Sequence, residues 1–300
     1  MVNTRVTRCT LSNKINLSGY QSVPHFFITM KNFVVIDLMP CMFALVNAVE
    51  RANSVGEGDV TKLLVDSWVR FFANPPLYCP IHRFDPYDAS PILVTDSKVA
   101  GRYWRHRYHT TYKSGRSSKS QLLTNITRLV TEGWVAHDLP LLREDGFEAD
   151  DFAGAIVRSL SPTDRCLLVT VDGDWAQLVS NRVGWLDTYP PSKRKGESQK
   201  RSVLFADEVL ERFNNQKAFI RNGGITSPSD IARYKWEYGD SSDSIPPGRL
   251  APLGIIDLLD PLESPDMSAV REVMDRGVNR VSYPAITSPY MFGLPTWVEG

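Results

Sequence analysis

Short, unbroken apolar runs recur along this chain, and each leads into an aspartate. Phe33-Val34-Val35-Ile36 precedes Asp37, Pro91-Ile92-Leu93-Val94-Thr95 precedes Asp96, and Cys166-Leu167-Leu168-Val169-Thr170-Val171 precedes Asp172. Runs this short and continuous read as strands of a parallel sheet covered on both faces, where no exposed face calls for polar alternation. Between the runs the apolar spacing changes to three and four. Met39 to Val49 and Val60 to Phe72 read as helices, as does the segment in which Phe152, Ile156 and Leu160 recur with Ala153 and Val157. Trp175 to Val179, Phe205 to Phe213 and Ser227 to Glu237 are further helical segments, and one amphipathic helix follows Pro261. Pro75 to Pro91, rich in proline and aspartate, reads as a loop. Strands alternating with helices predict an α/β fold around a mainly parallel sheet.

In such sheets ligands bind beyond the carboxyl ends of the strands. The pattern places Asp37, Asp96 and Asp172 at that edge. One acid there is commonplace as a helix cap; three of three exceed what capping explains. Glu148, Asp150 and Asp151 open the helix that buries Phe152, where free N–H groups and the helix dipole favour negative charge. Ordinary N-capping by Asp150, with its neighbours in water, is the competing reading of that segment alone. Asp174 follows Asp172, and Asp240 and Asp243 lie in the turn from Gly239 to Gly248. Two carboxylates about 4 Å apart repel by about 4 kcal/mol at a protein-surface dielectric. Convergence of so many acids therefore demands cations or strongly raised pKa values. An all-oxygen set without His or Cys suits magnesium or manganese. Two such ions can stabilise both the attacking and the leaving oxygen in phosphodiester hydrolysis.

Composition adds little until it is read by position. The chain has 300 residues and equal numbers of basic and acidic side chains, 34 of each. Cys9, Cys41, Cys79 and Cys166 are scattered, which excludes a CxxC zinc cage and points to a reducing compartment. No apolar run is long enough to span a membrane; Phe33 to Val46 is too short and carries Asp37. Residues 1–32 contain no acid but carry Arg5, Arg8, Lys14 and Lys31. They read as a basic tail outside the fold, with a transit peptide or an upstream extension before Met30 as alternatives. Between Asp96 and Glu132 there is again no acid. Lys98, Arg102, Arg105, Arg107, Lys113, Arg116, Lys119 and Arg128 are interleaved there with Tyr103, Trp104, Tyr108 and Tyr112. Cations mixed with aromatics point to a phosphate-backbone partner, against the plainer reading of a solvated face. Pro190 to Gly196 reads as a basic boundary loop, and Tyr290, Met291, Phe292 and Trp297 as a tail packed on the core.

Taken in order, these blocks resemble the flap endonuclease / 5′–3′ exonuclease family, especially its phage and bacterial members. Ile36-Asp37 is similar to the family's first-strand acid. Thr95-Asp96-Ser97, then Trp104-Arg105 and Tyr112-Lys113-Ser114-Gly115-Arg116, resemble its Asp, Arg and Tyr-Lys-x-x-Arg elements. Phe147-Glu148-Ala149-Asp150-Asp151 resembles its Glu-Ala-Asp-Asp helix. Thr170-Val171-Asp172-Gly173-Asp174-Trp175-Ala176-Gln177-Leu178 and Gly239-Asp240-Ser241-Ser242-Asp243-Ser244-Ile245-Pro246 resemble the remaining acid motifs. The resemblance covers about residues 33–250.

It implies a PIN-like α/β core over residues 33–189, a helical region over 190–262 carrying the last acids, and a C-terminal helix and tail over 263–300. It further implies a magnesium- or manganese-dependent 5′–3′ exonuclease or flap-type endonuclease using two ions. Asp37, Asp96, Glu148 and Asp150 would hold the first ion, and Asp172, Asp174, Asp240 and Asp243 the second, with Asp151 between. Lys113 and Arg116 would grip the scissile phosphate from a helical gateway. Arg102, Arg105, Arg107 and Lys119 would contact the nucleic-acid backbone. Phe43 falls near the family's base-stacking tyrosine, a buried helix position being the competing reading. The implied substrate is DNA (branched, duplex with a 5′ end, or single-stranded), with RNA–DNA hybrids also in scope. The implied setting is a monomer, without membrane attachment, in the cytoplasm of a bacterial or phage-infected cell, unless residues 1–29 direct it to an organelle. A PIN-type ribonuclease and a non-catalytic structure-specific binder are the rival functions. The chain departs from the family at Leu38 and Ala44, where Gly and Arg are usual. It departs again at Pro247 to Ile255, where a Gly-Ile-Gly helix–turn–helix holding the duplex and a potassium ion is expected.

Overall fold

The structure, a computed structural model, describes residues 30–54, 60–75, 78, 84–97, 102–115, 120–187, 203–248 and 251–276. The residues before 30 and after 276, and with them most of the expected basic tail and the aromatic C-terminal segment, lie outside the described residues. Lys31 and Asn32, expected in that tail, belong to the fold instead, Asn32 as the buried first residue of a strand and Lys31 paired with Asp275.

The first apolar run forms β1 (Asn32–Asp37), followed at once by α1 (Leu38–Ser54) and then α2 (Thr61–Phe72). The second forms β2 (Ala89–Val94) and the third β4 (Arg165–Thr170). Between these two lie α3 (Gln121–Ala136), β3 (Leu141–Leu142) and α4 (Ala149–Ser159). Next come β5 (Val183–Asp187), β6 (Val203–Leu204), α5 (Ala206–Asn214), α6 (Lys217–Arg221), α7 (Asp230–Tyr238) and α8 (Met267–Arg276). The six strands form one sheet in the order β3-β2-β1-β4-β5-β6, all parallel except the antiparallel β5–β6 pair. This is the expected mainly parallel α/β architecture.

Alternation within β1 explains its unbroken hydrophobicity, because each of its faces enters a different core. Val34 and Ile36 pack with Leu45 of α1, Trp68 of α2, and Ile126 and Trp134 of α3. Phe33 and Val35 pack with Phe152 and Ile156 of α4, Val209 and Phe213 of α5, and Val270 of α8. Side chains of α5, α6, α7 and α8 thus share one cluster with the sheet. Among the described residues, no helix is long and apolar enough to cross a membrane.

Several elements differ from the sequence expectation. The strands stop at Val94 and Thr170, so Asp96 and Asp172 stand on the loops just past them. α3 begins inside the acid-free basic stretch and runs on past Glu132. Its buried positions, Leu123, Ile126, Val130 and Trp134, have helical spacing, and Ser120 caps it by accepting from the Leu123 N–H at 3.1 Å. Arg128, on its exposed face, pairs with Glu132 four residues on. Tyr103, Trp104 and Tyr112 are no stacking platform. They are buried with Ile245, Ala251, Ile255 and Ile256 in a small third cluster. β5 and β6 flank the expected boundary loop, whose residues 188–202 lie outside the described residues.

Gly154 of α4 lies against the segment around Leu258. A Cβ there would fall well inside contact distance of the Leu258 carbonyl oxygen, which also accepts from the Arg158 guanidinium. Gly154→Val is expected to cost about 2 kcal/mol, since overpacking outweighs any gain in helix propensity. An unchanged urea midpoint would show that the segment yields freely.

Candidate metal centre

In the sheet order, β1 has β2 on one side and β4 on the other, so the chain reverses direction there. The crevice outside the carboxyl ends of these strands is where an open α/β sheet binds ligands. Asp37, the last residue of β1, is buried there and accepts from the Thr170 hydroxyl at 2.8 Å. The same hydroxyl oxygen accepts from the Asp172 N–H at 3.0 Å, so one threonine ties the two strand ends together. Asp96 is held to the start of α4, its Oδ1 accepting from the Ala149 N–H at 3.1 Å. Asp150, in the first turn of α4, accepts from the Trp175 indole N–H at 2.7 Å. Asp172 accepts from the Asp174 N–H at 2.9 Å, capping the 3-10 turn Gly173–Leu178.

Burial and mutual repulsion raise the pKa values of Asp37, Asp96 and Asp172. Asp37 is pushed well up by burial and by the charges of Asp150 and Asp96. Asp96 is raised by burial and by Glu148. Asp172 is raised to about 8 by burial, Asp174 and Asp150. The strand-end acids and the start of α4 therefore meet, as expected.

Glu148 is different because it has cations of its own. It N-caps α4, and its Oε2 accepts from the Arg105 guanidinium at 2.8 Å and the Tyr112 hydroxyl at 3.0 Å. Its Oε1 accepts from Lys113 Nζ at 2.5 Å. Burial would raise its pKa, but the Lys113 and Arg105 charges outweigh that and hold it low.

A further acidic group gathers around the turn closed by the Asp240–Ile245 bridge. Asp174, Asp240 and Asp243 each offer a carboxylate oxygen, all lying within 4.8 Å of one another. Tyr112 also donates to Asp243 Oδ2 at 3.1 Å, and Lys113 Nζ lies 3.9 Å from the same oxygen. This joins the turn to Glu148.

Two site expectations are corrected. Asp151 does not face the acids, because its carboxylate is fully engaged. It accepts from Arg105 at 2.7 and 2.9 Å, from the Trp104 indole at 3.1 Å and from the Glu148 N–H at 2.8 Å. Arg105 is only 2% exposed, so it is no backbone contact for nucleic acid. Its Nε–H donates to the Ile255 carbonyl at 2.7 Å, and its Cζ lies 4.6 Å from the Trp104 ring centroid.

Lys113 is not on a helix. Its φ is +53° within a run of turns, so the expected helical pairing with Arg116 lapses. Arg116 and Lys119 lie outside the described residues. Arg102 and Arg107 are exposed, and Arg107 pairs with Glu263. Phe43 is 55% exposed on α1, against the buried alternative.

Sequence reasoning missed Lys235, in the last turn of α7, whose ammonium bridges Asp174 and Asp240. Its position five residues before Asp240 was the available clue, given that packed acids need internal cations.

Residues 81–214 match the family model of the 5′–3′ exonuclease N-terminal, resolvase-like domain. Just under half of the chain is thus similar to a 5′–3′ exonuclease-type domain. The match takes in Asp96, Lys113, Glu148, Asp150, Asp172 and Asp174, beginning after Asp37 and ending before Asp240. DNA polymerase I of Pseudomonas aeruginosa is 30% identical over 162 residues, 53% of this chain and 15% of that protein. DNA polymerase I of Mycobacterium bovis is 32% identical over 149 residues, 49% of this chain and 15% of that protein. The chain thus spans about a seventh of the length of these relatives. Among solved structures, the bacteriophage T5 D15 protein crystallised with metal ions is similar at 16% identity. It covers 82% of this chain and 84% of its own, with a TM-score of 0.48. A T5 D15 flap endonuclease in a complex with DNA and metal ions gives 16%, 82%, 87% and 0.49.

Removing one partner of a buried pair strands the other charge, at about 3–5 kcal/mol. Arg105→Met is therefore expected to lower stability by that order in urea denaturation, and Arg105→Lys to recover only part, having no fork to span Glu148 and Asp151. A second test uses pH. Folded Asp172 keeps its proton up to about 8, whereas an ordinary aspartate releases it near 3.8. The native state then binds more protons across that window, so stability falls as pH rises. In chelator, the melting temperature should drop between about pH 5 and about pH 8, and Asp172→Asn should flatten the slope. A flat wild-type profile would refute the assignment.

Proposed function

We propose that the chain is a divalent-metal-dependent 5′-nuclease that hydrolyses DNA phosphodiester bonds, exonucleolytically or at flaps. The observation that carries this reading is the convergence of Asp37, Asp96, Glu148, Asp150 and Asp172, beside Asp174, Asp240 and Asp243, at the ligand-binding edge of the sheet. The donor set fits hard cations: it is all carboxylate oxygen, burial and neighbouring acids raise the pKa values of Asp37, Asp96 and Asp172, and it includes a triad close enough to share one ion. Two magnesium or manganese ions would supply Lewis acidity and make water nucleophilic near neutral pH. Asp37, Asp96, Glu148 and Asp150 would hold one, and Asp172, Asp174, Asp240 and Asp243 the other.

The chain's own residues do the rest. Thr170 fixes Asp37, and the Ala149 N–H fixes Asp96, so these donors need little reorganisation. Arg105 holds Glu148 and the start of α4 from behind. Lys113 is the cation at the mouth of the site, 8% exposed, and would transfer from Glu148 to the scissile phosphate. Exposed Arg102 and Arg107 lie on the same segment and would follow the phosphate backbone.

The test is cleavage of end-labelled single-stranded, duplex, flapped and RNA–DNA hybrid substrates, with magnesium and with chelator. Magnesium-dependent release from 5′ ends or flaps is expected. Asp37→Asn, Glu148→Gln and Asp172→Asn should each abolish cleavage while leaving the protein folded. Lys113→Ala should cost about a hundredfold in single-turnover rate at saturating DNA, as for lost stabilisation of developing charge. Cleavage of RNA alone would favour a ribonuclease, and full activity in chelator would end the metal reading.

A further inference from the structure

Among the described residues, Lys235 is the strongly placed cation of the site that the nuclease reading leaves without a task. It reaches in from α7, whose end is set by Gly239 at φ +85°, immediately before Asp240. Its side chain is 22% exposed, and its ammonium pairs with Asp174 and, at 2.8 Å, with Asp240. These are two of the three acids whose oxygens lie within 4.8 Å of one another. The ammonium thus bonds to two of the three carboxylates that a divalent ion would share.

We infer that Lys235 is an internal counter-ion that competes with a divalent cation for Asp174 and Asp240, and is expelled from between them when the ion binds. The inference rests on the divalent-metal reading of this site and extends it to how the site is kept folded and how tightly it binds. An ammonium and an M²⁺ ion cannot share oxygens this closely placed without strong repulsion. Lys235 therefore has opposite effects in the two conditions. In chelator it compensates packed carboxylates and stabilises the fold. With ions present, its expulsion is a cost that lowers their affinity.

The electrostatics agree with this placement. Lys235 is pushed above its ordinary range, burial being outweighed by Asp174 and Asp240. Asp240 is held low, with burial outweighed by Lys235 and by hydrogen bonds from Ser242. Asp174 remains raised by burial despite Lys235, because Asp240 and Asp243 push the other way. One monovalent cation neutralises only part of the triad, which leaves an incentive for a doubly charged one.

The experiment uses the full chain, its Lys235→Met and Lys235→Arg variants, and Mn²⁺ as the probe. Free Mn²⁺ is counted by electron paramagnetic resonance during titration, and melting temperature is followed in chelator. Lys235→Met should bind its weaker Mn²⁺ about tenfold more tightly than wild type. In chelator it should melt about 2–4 °C lower. Lys235→Arg should stay near wild type in both. A purely structural lysine would lower stability without raising affinity, so equal or weaker Mn²⁺ binding by Lys235→Met overturns the inference. A variant-free measurement covers the case in which Lys235→Met does not fold. In the wild type, acetylation of the Lys235 amine, read by mass spectrometry, should speed up several-fold on adding Mn²⁺. An unchanged or slower rate overturns the inference as well. If the wild type binds no Mn²⁺, the metal reading fails first. If it binds Mn²⁺ and only the Lys235 results fail, that reading survives and this inference alone falls.

Discussion

Carboxylates crowded at the carboxyl edge of the sheet repel one another, and the structure is organised around three side-chain cations that offset this. Arg105 lies behind the acids, fully buried, and grips Glu148 and Asp151 together. Lys113 sits at the front on Glu148, and Lys235 at the side on Asp174 and Asp240. The three are not equivalent. A guanidinium with a fixed fork, sealed against Trp104 and the Ile255 carbonyl, is permanent scaffolding. An ammonium on a flexible stem can leave, and both lysines stand where other positive charges or phosphates would compete. Among the described residues no cation bonds directly to Asp37, Asp96 or Asp172, and their pKa values are pushed upward. The uncompensated part of the charge therefore lies at the centre of the crevice, where a ligand cation gains most.

The sheet makes this arrangement reproducible. β1 and β4 are parallel neighbours at the point where the chain reverses across the sheet, so their ends open onto one crevice. In-register pairing of Asp37 with Val94 puts Asp96 two residues further out on the same carboxyl edge. Thr170 then locks Asp37 to the Asp172 backbone. These are consequences of backbone geometry and vary little with side-chain packing.

That division explains what the sequence made legible. Apolar runs ending in acids are backbone-level features, so Asp37, Asp96 and Asp172, and the Glu148–Asp150 segment, could be placed on one edge from pattern alone. The aromatic–basic stretch could not be resolved in the same way. Tyr103, Trp104 and Tyr112 look like a stacking platform by composition, yet their burial is set by Ile245, Ala251 and Ile255, well over a hundred residues away. The resemblance singled out Arg105 in its Arg element but gave it the same backbone-contact role as exposed Arg102 and Arg107. Only its alignment with Asp151 and Glu148 marks it as structural. α3 was hidden because a basic run drew attention from the spacing of Leu123, Ile126, Val130 and Trp134. The φ of Lys113 has no sequence signature in a residue other than glycine.

The two halves of the site are therefore held by different physics. One half hangs on strand ends and a helix N-terminus, elements fixed by the sheet and by two cores. The other hangs on side chains: Tyr112 and Lys113 reaching to Glu148 and Asp243, His109 to the Ser244 carbonyl at 3.0 Å, and the small cluster beneath them. A phenol has one proton to donate, so Tyr112 cannot satisfy Glu148 and Asp243 equally at once. Any cation that takes over Glu148 weakens the hold of Lys113, and with it part of the link to the Asp240–Ile245 turn. Adjustment of the site to its ligands should then be concentrated in residues 109–113 and 240–248, while the strand-end acids stay in place. Rigid donors beside a side-chain-latched gate are what a site needs if it must capture cations first and a phosphate backbone second.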